Sequence, residues 1–288
     1  KELSKIRPDL IFPHDNSDSE KSINMVYCPE RAIPGENIKE IVSNDRIIGG
    51  VGGQCANMGA QLYRIYSKGK LSLTDSKTAE LSKLVENSYR DLNIAFANEI
   101  SLICDSLGID PWEFVEIANK HPRVNILDPG PGVGGHCLPV DPWFLVNQFP
   151  KETNLIMVAR KVNDLKPNWV VEKIIENLYD DSLNLTKSIT CFGITYKPNS
   201  SDLRHSPSIE VCTELAAKLK CHINVVDPMI DELPYELESK GCRLVGEEEG
   251  LMSNLLVFLV HHSQFDRFID ELDGKNANVT YCSLLKNT

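Results

Sequence analysis

Hydrophobic and polar positions change their spacing along the chain and divide it into three regions. Between residues 23 and 75, short apolar runs flank one segment with helical spacing, which is the pattern of strand, helix and strand. From residue 76 to residue 107, apolar residues recur every three or four positions without a break. From residue 187 onward, strand-like and helical segments alternate again. This succession predicts an α/β protein with a helical middle region, because alternating strands and helices build parallel sheets.

The same periodicity predicts the individual elements. The first 20 or so residues are polar and rich in Pro, Asp and Ser, and they predict a loop. Helices are predicted at 53–66, 76–107, 110–120, 153–179, 207–219 and 263–272, and strands at 23–27, 46–50, 71–74, 189–194, 222–226, 255–260 and 278–282.

The helix predicted at 76–107 is the most distinctive element. Asp75 or Ser76 is placed to cap its first turn. A helix of about 30 residues spans roughly 45 Å, longer than a small domain needs, and such helices often connect domains or pair with a copy of themselves. We therefore expect a partial Rossmann-like domain over 1–75, a central helical region over 76–182 and a second Rossmann-like α/β domain over 183–288.

Composition and charge narrow the classes of partner. Of the 288 residues, 42% are hydrophobic and 25% are charged, as in an ordinary globular chain. The formal net charge of −11 disfavours nucleic acid and anionic membranes, so an anionic ligand needs a local cluster of cations. Nine cysteines without a CxxC pair are typical of a reducing cytoplasm. Neither a run of about 18 apolar residues nor a signal peptide is recognisable, so we expect a cytoplasmic protein with no membrane contact.

A thiol in a glycine-rich turn is the centre of the candidate chemistry, in segment 132–142, GVGGHCLPVDP. Glycines let a backbone approach a ligand closely, and a cysteine presented in this way is more exposed than most, as a nucleophile must be. We predict Cys137 as the nucleophile, with a buried, inert cysteine as the alternative. Asp141 is a base or a turn cap. His136 suggests zinc, but no second ligand pair has metal spacing, so no metal is expected.

Three further residues are candidates for the same chemistry. Lys83 and Asn87 lie four positions apart on the long helix and so share one face. They would orient water or an oxyanion, unless they belong to a solvated polar stripe. Glu30 lies just past a strand end, where ligands gather in parallel α/β sheets, and the alternative is an exposed turn carboxylate.

The loop after the strand at 189–194 is a candidate anion site. Lys197, Asp202 and Arg204 lie in it, directly before a helix that begins near Ser206. Helix N-termini and cations both favour phosphate. Arg123, ahead of the glycine turn, would add a bidentate contact with a phosphate or carboxylate. Each of these cations, taken alone, would be interpreted as an ordinary surface residue.

Two glycine clusters do not qualify as dinucleotide fingerprints. The segment 130–135 fits GxGxxG by letter, but the prolines after it predict that no helix follows. The cluster at 49–53 lies between a strand and a helix but lacks the spacing. A nicotinamide cofactor therefore cannot be inferred from a fingerprint in this chain.

Taken together, several long motifs resemble the UDP-glucose/GDP-mannose dehydrogenase family over nearly the whole chain. They occur in the family's order, which makes the resemblance more specific than any one motif. The segments that carry it are 27–35 (YCPERAIPG), 44–50 (NDRIIGG), 83–88 (KLVENS), 95–99 (AFANE), 121–127 (HPRVNIL), the cysteine loop, 196–198 (YKP) and 202–204 (DLR).

The resemblance implies a four-electron oxidation of the C6 alcohol of a sugar nucleotide to a carboxylate, with NAD as the cofactor. The first oxidation gives an aldehyde, which Cys137 captures as a thiohemiacetal. The second oxidation gives a thioester, which is hydrolysed by water that Asp141 or Glu30 activates. Lys83 and Asn87 would stabilise the developing oxyanion.

The resemblance also implies binding roles, a dimer and a branch of the family. The helix 76–107 would be the homodimer core, and 183–288 would bind the UDP-sugar. Val140, where the UDP-glucose and GDP-mannose members tend to carry lysine, favours the N-acetylamino-sugar branch. Within that branch, segments 129–133 and 141–144 favour UDP-N-acetyl-D-mannosamine as the substrate, with UDP-N-acetylglucosamine as the alternative. The residues implied in substrate binding are Arg123, Gly134, Gly135, His136, Lys197 and Arg204, and those implied in cofactor binding are Glu30, Lys197 and Arg204.

Two departures from the family pattern bear on activity. The family's N-terminal GxGxxG half-domain is not found, and without it the cofactor lacks its pyrophosphate seat. The tail 282–288 lacks the expected Asp-Thr-Lys/Arg ending. A trimmed copy of an enzyme, or a catalytically inactive dimerising module that binds UDP-sugars, is therefore a second expectation beside the active dehydrogenase.

Overall fold

The computed structural model describes residues 2–13, 23–32, 37–179, 188–219, 222–273 and 279–282. The chain divides into two compact units, Lys1–Glu86 and Asn87–Thr288. The elements that begin in the first unit are α1 (Glu2–Ile6), β1 (Val26–Tyr27), α2 (Asn37–Ser43), β2 (Arg46–Gly50), α3 (Gly53–Tyr63), β3 (Leu71–Asp75) and α4 (Ser76–Leu107), which continues into the second unit.

The first unit contains a three-stranded sheet in the order β1-β2-β3. β1 runs antiparallel to β2, whereas β2 and β3 are parallel and are connected through α3. The predicted strand-helix-strand unit is therefore confirmed. Gly49 on β2 permits close packing with the start of α4, because a Cβ there would lie 2.4 Å from the Cβ of Ala79.

The long helix α4 has the bounds that its periodicity predicts. Asp75 caps it, because its carboxylate accepts hydrogen bonds from the backbone N–H of Thr78 at 2.9 Å and from the Thr78 hydroxyl at 2.7 Å. These bonds hold the pKa of Asp75 below its ordinary value. Of the two caps predicted, the structure selects Asp75.

The second unit continues with a helical part and then a Rossmann-like part. Its further elements are α5 (Pro111–Ala118), α6 (Asp141–Gln148), α7 (Asn154–Tyr179), β4 (Ile189–Phe192), α8 (Pro207–Lys218), β5 (Ile223–Val226), α9 (Tyr235–Glu238), β6 (Arg243–Leu244), α10 (Glu247–Gly250), β7 (Leu255–Phe258), a 3-10 turn (Ser263–Phe265), α11 (Asp266–Asp273) and β8 (Val279–Tyr281).

A parallel sheet of five strands, in the order β6-β5-β4-β7-β8, forms the core of this second part. β4 lies in the middle, and all four of its residues are buried. One apolar cluster joins the sheet to α7 and α8, and a second joins it to α11. Helices thus cover both faces, as in doubly wound folds, and the predicted Rossmann-like α/β architecture is confirmed.

Several details differ from the sequence-based expectations. Helix α1 replaces part of the predicted loop, and α2, α6, α9 and α10 were not predicted. The expectation that no helix follows the glycine turn is wrong, because α6 begins at Asp141. Pro142 lies in its first turn, where a missing N–H costs no intrahelical hydrogen bond. The predicted loop over 14–22 and the tail 283–288 lie outside the described residues.

None of the helices in the described ranges combines the length and the apolar character that are needed to cross a membrane.

Candidate active site

The glycine turn packs directly on the segment between β4 and α8. A Cβ at Gly134 would lie 2.6 Å from the Cβ of Tyr196 and 2.7 Å from the carbonyl oxygen of His205. Gly135 has a φ of +88°, and its N–H donates a hydrogen bond to the carbonyl oxygen of Arg204 at 3.0 Å. Only glycine at these two positions allows such an approach. The predicted nucleophile loop and the predicted anion segment are therefore brought together.

Cys137 lies in the turn that leads into α6. Its carbonyl oxygen accepts hydrogen bonds from the N–H of Asp141 at 2.8 Å and from the N–H of Val140 at 3.1 Å. The residue is partly exposed, whereas Cys191 and Cys212 in the same unit are fully buried. This contrast favours the accessible thiol over the inert core cysteine.

Asp141 is held in place by Asn87. The Asn87 side-chain amide, which is 6% exposed, donates a hydrogen bond to Oδ2 of Asp141 at 2.5 Å. Asp141 is also the first residue of α6, where a carboxylate is favoured by the helix dipole. The structure thus fixes one carboxylate oxygen and leaves the other available beside the turn that contains Cys137.

In the anion segment, Asp202 orients Arg204. The guanidinium donates from Nε to Oδ1 at 2.9 Å and from Nη2 to Oδ2 at 2.6 Å. The hydrogen bonds and the positive charge of Arg204 outweigh partial burial and lower the pKa of Asp202 to about 2. Arg204 remains 57% exposed, and the Lys197 ammonium lies 5.6 Å from the ring centroid of Tyr196. Arg204 and Lys197 thus lie on the segment against which Gly134 and Gly135 of the cysteine turn pack.

Asp227 and His262, two buried side chains next to this segment, were not predicted as site residues from the sequence. Oδ2 of Asp227 accepts hydrogen bonds from the N–H of Ile194 at 2.7 Å and from Nε2 of His262 at 3.3 Å, and Nδ1 of His262 accepts from the N–H of Asn199 at 3.0 Å. Burial opposes ionisation of Asp227, but these hydrogen bonds keep its pKa below the ordinary value. Asp227 directly follows β5, and an acidic residue at the carboxyl end of a buried strand was the signal available in the sequence.

Glu30 and Lys83 belong to the first unit. The Glu30 carboxylate accepts hydrogen bonds from the backbone N–H groups of Arg31 at 2.7 Å and Ala32 at 2.8 Å, and it pairs with the buried Arg46 at 3.3 Å. Although burial acts in the opposite direction, these contacts lower the pKa of Glu30. Glu30 is thus a fixed, ionised carboxylate at the end of β1.

Arg123 lies after α5 and is exposed. Among the residues that the structure describes, neither its guanidinium nor the Lys83 ammonium has a hydrogen-bond or ion-pair partner. Both cations are therefore available to a ligand. Over the same described ranges, no group of three or more His, Cys, Asp or Glu side chains is arranged to hold a metal ion.

Comparison with known proteins gives these sites a family context. Three models of the UDP-glucose/GDP-mannose dehydrogenase family match the chain: the NAD binding domain at 5–67, the central domain at 77–165 and the UDP binding domain at 190–281. The Cys137 turn thus falls in the central domain, and the Arg204 segment falls in the UDP binding domain.

Individual relatives agree with this match. The chain is 45% identical to a UDP-N-acetyl-D-mannosamine dehydrogenase of Escherichia coli K12 over 285 residues, which are 97% of the chain and 66% of the relative. It is 45% identical to an NDP-N-acetyl-D-galactosaminuronic acid dehydrogenase of Ralstonia nicotianae over 266 residues, 91% of the chain and 61% of the relative.

The fold has close solved counterparts. A UDP-N-acetyl-mannosamine dehydrogenase from Staphylococcus aureus superimposes with a TM-score of 0.78 at 38% identity, covering 93% of the chain and 61% of that protein. The chain spans slightly less than two thirds of the length of the curated relatives it matches. Because three models of the family match in its domain order and relatives are 45% identical over most of the chain, the chain belongs to the UDP-glucose/GDP-mannose dehydrogenase family.

Proposed function

We propose that the protein is an NAD-dependent UDP-sugar 6-dehydrogenase that oxidises UDP-N-acetyl-D-mannosamine to UDP-N-acetyl-D-mannosaminuronate, for surface polysaccharide synthesis. One observation carries this proposal: the partly exposed Cys137 lies in a central-domain turn whose glycines pack on Tyr196 and Arg204, and these two residues belong to the matched UDP binding domain. A nucleophile is thereby held beside cations that suit a sugar diphosphate.

The proposed reaction removes four electrons from C6 in two steps. NAD supplies the hydride acceptor for each oxidation when it is bound. After the first oxidation, the Cys137 thiolate adds to the aldehyde carbon and gives a thiohemiacetal. After the second, the resulting thioester takes up water, the C–S bond breaks, and the carboxylate and the free thiol are released. Covalent capture keeps the aldehyde from escaping between the two oxidations.

Asp141 is the proposed base for the released protons and for the hydrolytic water. Its Oδ2 accepts the hydrogen bond from Asn87, so Oδ1 is the atom that we propose takes the proton. Sequence resemblance assigns oxyanion stabilisation to Lys83 and Asn87 and a second carboxylate role to Glu30. Cofactor contacts are proposed for the 5–67 region, which the NAD binding domain model matches and which includes Glu30, and for Lys197 and Arg204.

The substrate contacts are proposed along the glycine turn and the anion segment. Arg204, pre-oriented by Asp202 through Nε and Nη2, offers Nη1 and the second N–H of Nη2 to a ligand. Its fixed geometry suits bidentate contact with a phosphate. The residues proposed to bind the UDP-sugar are Arg123, Gly134, Gly135, His136, Lys197 and Arg204.

We also propose a cytoplasmic homodimer that forms through α4. Large apolar side chains on this helix are exposed at Tyr89 (68%), Phe96 (50%), Ile103 (50%) and Leu107 (66%). Their spacing of seven, seven and four residues places them in one stripe, and an exposed apolar stripe is typical of a protein interface. The eight described cysteines are free, which suits a reducing compartment.

The test is an NADH assay of the protein, expressed from its complete reading frame, with UDP-N-acetylmannosamine, UDP-N-acetylglucosamine, UDP-N-acetylgalactosamine and UDP-glucose. We expect turnover with UDP-N-acetylmannosamine and about two NADH per sugar, because each oxidation releases one hydride. Cys137→Ala should abolish uronate release, whereas Cys282→Ala, at another partly exposed cysteine, should leave it unchanged. Undiminished uronate release by Cys137→Ala would rule out the covalent step.

Other outcomes identify the alternatives. Preferential turnover of one of the other two N-acetylhexosamines would change the epimer and keep the chemistry. Binding of UDP-sugars without any NADH would instead indicate a catalytically inactive, dimerising module that binds UDP-sugars.

A further inference from the structure

A chain of buried polar side chains connects α4 and α7 to the start of the glycine turn. Asn98 on α4 has no exposed surface. Its Oδ1 accepts a hydrogen bond from the N–H of Gly130 at 2.9 Å, and its Nδ2 donates to Oδ1 of Asn163 on α7 at 2.9 Å. Both sides of the Asn98 amide are therefore engaged, so the group cannot flip without losing both bonds.

Asn163 is fixed in turn by an ion pair behind it. Its Nδ2 donates to the carbonyl oxygen of Asp91 at 3.0 Å and to Oδ1 of Asp91 at 2.8 Å. The same carboxylate accepts from Nη1 of Arg160 at 2.5 Å, and Arg160 also pairs with Asp164. Asn163, Asp91 and Arg160 are each at most 2% exposed. The chain thus runs from a buried ion pair to one backbone N–H of the turn.

The turn is also pressed against this end of the chain. Gly132 has a φ of +143°, and a Cβ there would lie 3.3 Å from the carbonyl oxygen of Asn163 and 3.0 Å from the Cβ of Pro207. At Gly132 the backbone therefore has little room to shift toward α7.

We propose that Asn98 and Asn163 are positioning residues for Cys137: they set where the glycine turn leaves the helical region and hence where the thiol meets the sugar. Burying two amides costs more free energy than burying apolar side chains of the same size, because each polar atom must be desolvated and paired. What the amides provide, and apolar side chains would not, is a directed bond to the N–H of Gly130. The inference rests on the proposed function for its link to catalysis.

The first test replaces Asn98 with leucine, which has a similar size but can neither donate nor accept. We expect Asn98→Leu to lower kcat by about 10- to 100-fold, since a displacement of around 1 Å is enough for that. KM for the UDP-sugar should change by a smaller factor than kcat, because Lys197 and Arg204, the cations proposed for the diphosphate, lie outside the displaced turn. Amide exchange of 130–138 should become at least about tenfold faster. Asn93→Leu is the matched control, because the Asn93 amide lies on the same helix and donates only to the carbonyl oxygen of Tyr89.

A second pair of variants avoids the core and tests the same bond. Gly130→Pro removes the backbone N–H that donates to Oδ1 of Asn98. Gly130→Ala keeps this N–H and adds a methyl group that meets no atom within 4 Å. We expect the kinetic and exchange changes for the proline variant and values near wild type for the alanine variant. If Asn98→Leu does not fold, the comparison of Gly130→Pro with Gly130→Ala tests the positioning role instead.

Two results would overturn the inference. The first is a kcat within about twofold of wild type in folded Asn98→Leu and Gly130→Pro. The second is faster exchange that spreads equally over α4 and α7, which is what a merely structural role produces. If the wild-type protein shows no turnover with any sugar, the proposed function fails, and the exchange of 130–138 alone then decides the positioning role.

Discussion

Gly134→Ala is the substitution that most directly tests the geometry of the cysteine turn. Gly134 has an ordinary φ, so the test concerns space and not backbone conformation. An added Cβ would lie 2.6 Å from the Cβ of Tyr196, 2.7 Å from the carbonyl oxygen of His205 and 2.9 Å from Cδ of Pro207. The first is the first carbon of a side chain, the second is a backbone oxygen and the third belongs to a proline ring that is bonded to the backbone, so none can swing away.

The size of the effect follows from the distances. Carbon atoms prefer separations of about 3.5–4.0 Å, so the turn and the Tyr196 segment must separate by roughly 1 Å. Overpacking of this kind costs about 1–3 kcal/mol in the free energy of unfolding. A shift of about 1 Å between nucleophile and substrate lowers turnover by about 100-fold. We therefore expect a modest loss of stability and a large loss of kcat.

The assay measures kcat for UDP-sugar oxidation together with thermal unfolding, for Gly134→Ala and for Gly130→Ala. Gly130→Ala is the matched control, because its new methyl group meets no atom within 4 Å. If Gly134→Ala retains kcat within about threefold of wild type while it is fully folded, the turn does not place the thiol against this segment, and the reasoning from steric fit is refuted.

Three further predictions concern buried groups. Arg160→Met should destabilise the protein by about 3–5 kcal/mol in urea unfolding, because it leaves the carboxylate of Asp91 buried without its cation; a loss below about 1 kcal/mol would contradict this. Burial lowers the pKa of Lys166 to about 8, so below pH 8 the buried ammonium reduces the stability of the folded protein. Between pH 8 and the unfolded-state pKa of about 10.5 the folded protein loses this charge first, so its stability rises with pH. Lys166→Met should remove this rise, and an unchanged dependence of stability on pH would contradict the prediction. Asn87→Ala should lower kcat by about 10-fold or more with little change in KM, because Asp141 loses the donor that orients it; equal losses in the binding of UDP alone would show that Asn87 acts on binding instead.

Periodicity predicted most of the regular structure. The helix α4 and the strand β2 have the predicted bounds, because each buries one face or one stripe that the sequence shows directly. The prolines of segment 131–142 predict no helix, but α6 forms, because Pro142 lies in its first turn, where proline is favourable.

The candidate site could be predicted only in part. Cys137 and Asp141 stand close in sequence, and their motif identifies them. The bond between Asn87 and Asp141 joins residues 54 positions apart, and the bond between Asn98 and Asn163 joins residues 65 apart. Such pairs form when helices pack together, and no local sequence pattern predicts them.

The turn that contains the thiol is anchored at several points by hydrogen bonds in which Cys137 takes no part. The turn is held by Asn98 at its start, by Asn87 through Asp141 at its end and by the Arg204 carbonyl oxygen at Gly135. Two of these three contacts end on a backbone N–H, so they fix where the chain runs and do not depend on which side chain the turn presents. A scaffold of this kind can keep one nucleophile in place while the residues around it change. Discrimination between sugar epimers should therefore depend on the side chains that border the turn, and exchanging them should alter substrate choice before it alters the covalent chemistry.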